Sequence, residues 1–249
     1  HTAHLTDASY RDGGSPNNDT AYSVTWAYVK DVPLILQVPE IGVIPGSDKL
    51  RYYSFELAGF NSDNFAYVGT RATGNGAGNY AIVPPGWQGE LPAGVTRLAE
   101  TPTPWFLIVG RTLVASPEDL PAVSQLIQGY RLVSLSDWGS ATPKRPYAPK
   151  LAPVPHYKKD KLELLEQFWS LANQAMSENP PAAADARLMT VFGDIEVGPG
   201  RDLSRLTPGL QAGLQRASLR ALMLLPEVHK SNYGTKLVNG WKYPPADLG

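Results

Sequence analysis

The chain lacks cysteine, and it lacks any apolar run long enough to cross a bilayer. The absence of cysteine excludes disulfides, thiolate metal sites and a cysteine nucleophile. The longest apolar runs, such as residues 105–109, fall far short of the roughly 20 residues that span a membrane. The opening residues, His1 to His4, have neither the basic start nor the apolar middle of a secretory leader. We therefore expect a protein that does not span a membrane.

The charge balance gives no sign of a nucleic-acid partner. The chain has 22 Lys and Arg against 23 Asp and Glu, a formal net charge of −1, and no long basic cluster. Binding to a phosphate backbone depends on such clusters, so no nucleic-acid partner is expected. The 4 histidines lack the spacing of a zinc site. The glycine-rich run 74–78 lacks the G-x-G-x-x-G spacing of a dinucleotide site, so we expect neither a metal nor a cofactor.

Most of the first half of the chain has the pattern of short strands. The segments are rich in Val, Ile, Tyr, Phe and Thr, and Gly, Pro, Asn or Asp bound them. Strands this closely spaced, without helices between them, predict antiparallel pairing in a sandwich or barrel. The predicted strands are residues 22–29, 34–38, 51–58, 65–71, 80–83, 95–99 and 105–114.

Helical patterns follow the strands. Ser116-Pro117-Glu118-Asp119 is typical of a helix start, and this helix should end near Gly129. A proline-rich stretch then predicts a connector, and apolar residues at helical spacing beyond Asp160 predict further helices. The segment 239–244 is predicted to be irregular. The expected fold class is α+β, with an antiparallel β-sandwich-like domain (1–135), a Pro-rich connector (136–159) and a helical region (160–249).

A polar block, residues 15–20, leads directly into the first predicted strand. Its Asn17, Asn18 and Asp19 could bind the backbone groups of a rigid entry turn. Polar groups at a strand end also line pockets, in which case Asp19 would act as an acid or base. Asn17 and Asn18 would then bind substrate. The sequence leaves both interpretations open.

Three tyrosines extend this candidate site. Tyr22 closes the polar block and could bind substrate, while Tyr53 and Tyr67 could each place a hydroxyl at a cavity wall. Aromatic residues are also common in strands simply because they fill cores. A structural role for these rings therefore remains the alternative.

Two arginines could supply positive charge to the same site. Arg71 could clamp an anionic or carbonyl group bidentately, or it could pin the loop that follows it. Arg111 interrupts an apolar strand, where an unpaired charge is costly. It should therefore meet a carboxylate such as Glu56 or Asp19, unless it serves as the cation of a pocket.

Several motifs in this order resemble a known bacterial family, the domain-of-unknown-function family numbered 1254. The resemblance covers roughly residues 1–133 and, more loosely, the helical tail. The motifs are Ser15-Pro16-Asn17-Asn18-Asp19-Thr20-x-Tyr22, Arg51-Tyr52-Tyr53-Ser54-Phe55, Asn64-Phe65-Ala66-Tyr67-Val68-Gly69-Thr70-Arg71, Pro85-Gly86-Trp87-Gln88-Gly89, Pro104-Trp105, Gly110-Arg111-Thr112 and Gly129-Tyr130.

The resemblance implies a context rather than a reaction. Members of that family usually continue into a C-terminal jelly-roll domain numbered 1214, and no part of this sequence looks like that partner. We therefore expect that this C-terminal domain is missing here. Members often carry export or lipoprotein signals, which implies a periplasmic or secreted location. The family has no established activity.

Two functions are compatible with these observations. The first is an envelope-associated enzyme, a hydrolase or lyase for a small organic or envelope-derived substrate. In it Asp19 is the acid or base, Tyr53 and Tyr67 orient the substrate, and Arg71 or Arg111 stabilises developing negative charge. The alternative is a non-catalytic ligand-binding or assembly module with an aromatic-lined pocket. Either function requires a small-molecule ligand, and a homo-oligomer is left open.

Overall fold

The chain forms two compact units, His1–Pro149 and Lys150–Gly249. The computed structural model describes residues 17–149, 163–230 and 235–243. Within them, the first unit contains β-strands and one α-helix, and the second contains helices and a small β-hairpin. The protein therefore has the α+β fold that the sequence predicts, with a sandwich-like β domain followed by a helical region.

The first sheet has four antiparallel strands in the order β1-β7-β3-β4. Side chains alternate along β3, where Tyr53, Phe55 and Leu57 are buried and Ser54 and Glu56 are half-buried. This alternation gives the sheet one face toward the core and one face toward solvent. The strands are β1 (Thr20–Tyr28), β3 (Tyr53–Gly59), β4 (Asn64–Gly69) and β7 (Trp105–Leu113).

The second sheet has the order β6-β5-β2-β8. Its strands pair antiparallel except for β5 and β6, which run parallel. The expectation of antiparallel pairing throughout is wrong at this one edge. β8 itself follows the α-helix and was not among the predicted strands. The strands are β2 (Leu34–Val38), β5 (Gly78–Val83), β6 (Thr96–Glu100) and β8 (Arg131–Ser134).

The main core lies between the two sheets. It combines Phe55, Leu57 and Ile108 of the first sheet with Leu36 and Ile82 of the second. The opposite face of the second sheet is also covered, because Ile35, Ala81, Val83 and Val133 pack under Trp87, Leu91, Val95, Leu135 and Trp138. The second sheet is thus buried on both faces, whereas the first keeps a solvent-facing side.

A buried ion pair ties the helix α1 (Leu120–Ile127) to the first sheet. The two guanidinium nitrogens of Arg51 donate to the two carboxylate oxygens of Asp119 over 2.6 and 2.7 Å. Arg51 also donates to the Leu113 carbonyl, and Asp119 accepts the Ala115 N–H. At this helix start Ser116 makes no side-chain capping bond, and Asp119 accepts the Ala115 N–H instead.

The described part of the second unit contains the helices α2 (Glu163–Glu178), α3 (Ala186–Gly193) and α4 (Pro208–Lys230). Asn173 of α2 organises the loop that precedes α4, because its amide bonds to backbone groups of Glu196, Gly198 and Arg201. Asp160, the predicted start of α2, lies outside the described residues. A hairpin of β9 (Lys236–Val238) and β10 (Trp241–Tyr243) replaces the irregular ending that we predicted.

Candidate functional site

The predicted entrance block forms a turn at the start of β1. The side-chain oxygen of Asn17 accepts the N–H of Asp19 over 2.9 Å, as in an Asx turn. The Asp19 carbonyl accepts the Val114 N–H over 2.8 Å, which extends the β1–β7 ladder. The Asn18 and Asp19 side chains are exposed. Residues 15 and 16 of the block lie outside the described residues.

Tyr53 faces the core rather than the solvent. The residue is fully buried, and its hydroxyl donates to the Gly74 carbonyl over 2.9 Å. Burial raises the pKa of this phenol above its usual value, since the charged form is poorly solvated there. Its hydroxyl thus stabilises the loop that follows β4, and Asp19 does not share its surroundings.

Arg111 lies on the solvent-facing side of the first sheet. It forms the predicted ion pair with Glu56 over 2.8 Å, and its guanidinium lies over the Tyr22 ring at 5.7 Å from the ring centre. The hydrogen bond to Glu56 raises the pKa of Arg111. Tyr22 is the direct cross-strand neighbour of Arg111, and Tyr67 is the neighbour of Glu56.

Arg71 lies in the loop beyond β4 and is exposed. Its guanidinium lies over the Tyr52 ring at 5.6 Å. Arg71 and Tyr67 line one open hollow of about 310 Å³, together with Tyr52, Tyr53, Ser54, Val68, Gly69 and Ala72. The structure therefore brings Tyr67 and Arg71 to one hollow, which the buried Tyr53 borders without exposing its hydroxyl, and it pairs Tyr22 with Arg111. Asn17, Asn18 and Asp19 do not line that hollow.

A more enclosed cleft, of about 280 Å³, opens between the two sheets. Consecutive residues of β1, 23–28, form one wall, and Leu34, Leu36 and Leu132 of the second sheet form the other. Because β1 and β8 are edge strands, the cleft follows the seam where the sandwich is open. Residues 145–148, which we call the covering segment, complete its lining.

Thr25 marks the opening of this cleft. Its cross-strand neighbour is Ile108, which is buried in the core, so Thr25 projects from the same inner face of the sheet. Ser23 and Ala27 on that face are buried, whereas Thr25 is exposed. An inward-facing strand residue that stays exposed indicates that no other described side chain packs over it.

Aromatic rings shape the floor of the cleft. The rings of Phe55 and Tyr130 pack edge to face at 4.8 Å, and the Tyr130 hydroxyl forms a 2.9 Å hydrogen bond with Thr112. Gly110 makes room for the Phe55 ring, because a Cβ at position 110 would lie 2.5 Å from that ring and 3.1 Å from the Ser23 Cβ. A side chain at position 110 would therefore push Phe55 toward the cleft.

The covering segment is held to β1 by aromatic contacts. The Tyr147 ring lies edge-on to Tyr28 at 6.2 Å, and Tyr28 in turn packs on Trp105 at 5.0 Å. Tyr147 is 74% exposed, so this contact buries little surface. The segment therefore lies over the cleft without being packed into the core.

Comparison with known proteins places this fold in a family. The family described as "Protein of unknown function (DUF1254)" matches residues 1–134, more than half of the chain. The chain belongs to the DUF1254 family. The matched DUF1254 region contains the Tyr130-Arg131-Leu132 part of the cleft, and the covering segment lies just beyond it.

One solved structure is similar to this DUF1254 protein. It is the crystal structure of the VPA0106 protein from Vibrio parahaemolyticus, with a TM-score of 0.63 and 20% sequence identity. The similarity covers 85% of this chain and 50% of that one, so the chain spans about half the length of the other structure. At this identity the similarity shows the fold alone. No functionally curated protein matches the chain.

The described residues contain neither a candidate membrane helix nor a metal cluster. Within these ranges, no helix combines the length and the hydropathy that crossing a bilayer requires. The same ranges hold no group of three His, Asp or Glu side chains arranged to bind a metal ion.

The sequence contained two signals for the cleft that the predicted site did not use. Tyr130 belongs to the Gly129-Tyr130 motif, which was noted only as a point of family resemblance. Tyr147 lies in the proline-rich stretch, which was interpreted as a connector. Neither signal indicates on its own that the two residues line the same space as β1.

Burial of Tyr130 predicts a loss of stability in alkali. Burial raises the pKa of this phenol to about 12, against about 10 for an unfolded chain. The folded state holds the Tyr130 proton more tightly than the unfolded chain does. The stabilisation that this protonated phenol provides is therefore complete below about pH 10 and is lost as the pH approaches 12. The expected loss is up to about 1.4 kcal/mol for each pH unit in that window.

Urea unfolding between pH 8 and pH 11 measures this effect. Tyr130→Phe should show a weaker dependence of the unfolding free energy on pH than the unmodified protein. Tyr67→Phe, which removes an exposed hydroxyl, controls for the loss of one tyrosine. An identical alkaline slope with and without the Tyr130 hydroxyl would contradict the prediction.

Proposed function

We propose that this protein is a non-catalytic ligand-binding module whose ligand occupies the cleft between the two sheets. The observation that carries the proposal is the exposed, inward-facing Thr25 on the wall of a cleft of about 280 Å³. A volume near the lower end of the range for ligand pockets, roughly 300–1,000 Å³, fits a small molecule. The cleft corresponds to the aromatic-lined pocket of the second hypothesis from the sequence.

The lining of the cleft suits binding through apolar contact. Phe55, Ile108, Leu34 and Leu36 supply a buried apolar floor, and Tyr147 supplies an aromatic ring nearer the surface. Aromatic side chains contribute large contact areas at a small cost in conformational entropy. A few polar groups, among them Ser23 and Thr25, would orient the ligand.

The same lining does not favour acid–base catalysis. Among the described residues that line the cleft there is no Asp, no Glu and no His. Asp19, the acid or base of the enzyme hypothesis, does not line it. The buried Tyr130 hydroxyl has a raised pKa and bonds to Thr112, so it is a poor proton acceptor at neutral pH. Binding is therefore the function that we favour over a hydrolase or lyase.

Blocking the cleft with a bulky side chain tests the proposal. Octanol, a neutral molecule with an apolar chain, is the probe, and two-dimensional amide NMR detects where it binds. In the unmodified protein, octanol should shift the resonances of β1, β8 and the covering segment. Thr25→Trp fills the opening from an exposed position, so it should weaken octanol binding at least tenfold.

Thr96→Trp is the matched control, because Thr96 is an exposed strand residue that does not line the cleft. This variant should bind octanol as the unmodified protein does. The proposal is wrong if octanol, octanoate and octylammonium all fail to shift the cleft resonances. It is also wrong if Thr25→Trp and Thr96→Trp bind these ligands equally well. A periplasmic or secreted location and a homo-oligomer remain predictions from the sequence.

A further inference from the structure

We infer that the ligand of this cleft is a small amphiphile with an anionic group, such as a carboxylate, at one end. The inference rests on the proposed function and concerns the chemistry that the cleft selects. It follows from the charges around the opening, from the depth at which they lie, and from their lack of partners.

The charged residues that line the cleft are both arginines, Arg131 and Arg145, within the described part of the chain. Neither guanidinium lies within ion-pair distance of a carboxylate of the described residues. By contrast, Arg51, Arg97, Arg111 and Arg201 each have such a partner. Leu132 packs in the core between the sheets and Val133 packs on the opposite face of the second sheet, so the alternation along β8 directs the Arg131 side chain to that opposite face. The opening therefore carries the positive charge of Arg145, which no described carboxylate neutralises by contact.

The residues around the opening also carry a net positive charge. A neighbouring hollow of about 480 Å³ shares Tyr28, Arg145 and Tyr147 with the cleft. It adds the cations Lys30 and Lys144 and the anions Asp31 and Asp137. With Arg145, three cations against two anions leave a formal charge of +1 around the opening. Such a field attracts anions and repels cationic ligands.

The depth of these groups fixes the orientation of the ligand. Leu34, Leu36, Phe55 and Ile108 at the floor are each at most 3% exposed. Arg131 and Arg145 are exposed. An apolar body would therefore lie inside the cleft, and its charged group would remain at the surface beside the Arg145 guanidinium. A ligand that is charged throughout would lose solvation at the floor without a partner.

A carboxylate matches the hydrogen-bonding geometry of the Arg145 guanidinium. The guanidinium group presents parallel N–H donors that bind two carboxylate oxygens at once. Because Arg145 is exposed, the gain is that of a surface ion pair, about two- to fivefold in affinity. The preference for an anion should therefore be moderate and should decrease with added salt.

Three ligands with the same chain and different head groups test the inference. Octanoate, octanol and octylammonium are titrated against the full chain at neutral pH, and binding at the cleft is followed by amide NMR. We expect octanoate to bind about two- to fivefold tighter than octanol, and octylammonium to bind more weakly than octanol. The advantage of octanoate should shrink when the ionic strength rises from about 20 mM to about 500 mM.

Substitution of Arg145 tests whether its guanidinium is responsible for the preference for an anion. Arg145→Gln should weaken octanoate binding about two- to fivefold and leave octanol binding unchanged. Arg71→Gln is the control, because Arg71 is equally exposed but lines a different hollow. It should leave the binding of both ligands unchanged.

The outcomes separate the two proposals. If octanol and octanoate bind the cleft with equal affinity, the inferred anion preference is wrong and the ligand-binding function stands. If Arg71→Gln and Arg145→Gln weaken octanoate binding equally, the positive charge acts through the general field and the inferred contact is wrong. If none of the three ligands binds at the cleft, both proposals fail.

Discussion

Replacing Arg51 with methionine is expected to lower the free energy of unfolding by about 3–5 kcal/mol. The side chains of Arg51 and Asp119 are only 4% and 6% exposed, and they bind each other through two hydrogen bonds of 2.6 and 2.7 Å. Removing the guanidinium leaves the Asp119 carboxylate buried without its counter-ion. It also leaves the Leu113 carbonyl without the Arg51 N–H.

The pKa of Asp119 supports the same expectation. The hydrogen bond from Arg51 lowers the pKa of this carboxyl group, so the folded protein favours its charged form. Without Arg51 the carboxylate has to take up a proton or become solvated, and both responses cost folding energy. The substitution therefore removes more than one contact.

A double-mutant cycle by urea unfolding measures the coupling. Arg51→Met and Asp119→Leu should each be strongly destabilising, and the double variant should cost clearly less than the two together. Arg97→Met is the matched control, since its ion pair with Glu100 is exposed and 3.5 Å long. It should cost no more than about 1 kcal/mol. Equal losses for Arg51→Met and Arg97→Met would refute the argument.

Substituting alanine for Gly69 is expected to be the second large effect. Gly69 ends β4 with a φ of +154°, and a Cβ there would lie 2.5 Å from the Tyr53 carbonyl oxygen and 2.8 Å from the Ser54 Cα. Both neighbours are backbone atoms, which cannot rotate away. Backbone strain of about 1–3 kcal/mol and overpacking of about 1–3 kcal/mol together predict a loss of roughly 2–6 kcal/mol.

Gly76→Ala is the matched control for this substitution. No heavy atom lies within 4 Å of a Cβ built at Gly76, so alanine there should change stability by no more than about 0.5 kcal/mol. Thermal and urea unfolding of both variants provide the comparison. A Gly69→Ala protein as stable as Gly76→Ala would show that the β3–β4 pair can separate at little cost.

Local patterns in the sequence were sufficient to predict most of the first unit. The alternation around Tyr53 identified β3, and each of the strands predicted before Ser116 is present with small shifts at its ends. The parallel β5–β6 pair was not predictable in this way, because strand direction depends on the connection between the strands. The terminal hairpin was missed although Asn239-Gly240 is a strong turn signal, and both residues have positive φ there.

Long-range pairing explains why the candidate site was predicted only in part. The Arg111–Glu56 ion pair was predicted, since a charge in an apolar strand needs a partner. The partner of Arg51 was not, because Asp119 was interpreted only as a helix-start residue. The cleft requires β1 to meet β8 and the covering segment, which follow it by more than a hundred residues in the chain. No local spacing in the sequence carries that information.

The position of the cleft along two edge strands affects how fast a ligand would enter and leave it. Entry at an edge breaks no hydrogen bond between β1 and β7 or between β2 and β8, so neither sheet has to unzip. A ligand that passes through the opening then has only to displace the covering segment. Surface loops move on nanosecond to microsecond timescales. A molecule in this seam would therefore enter and leave without either sheet opening.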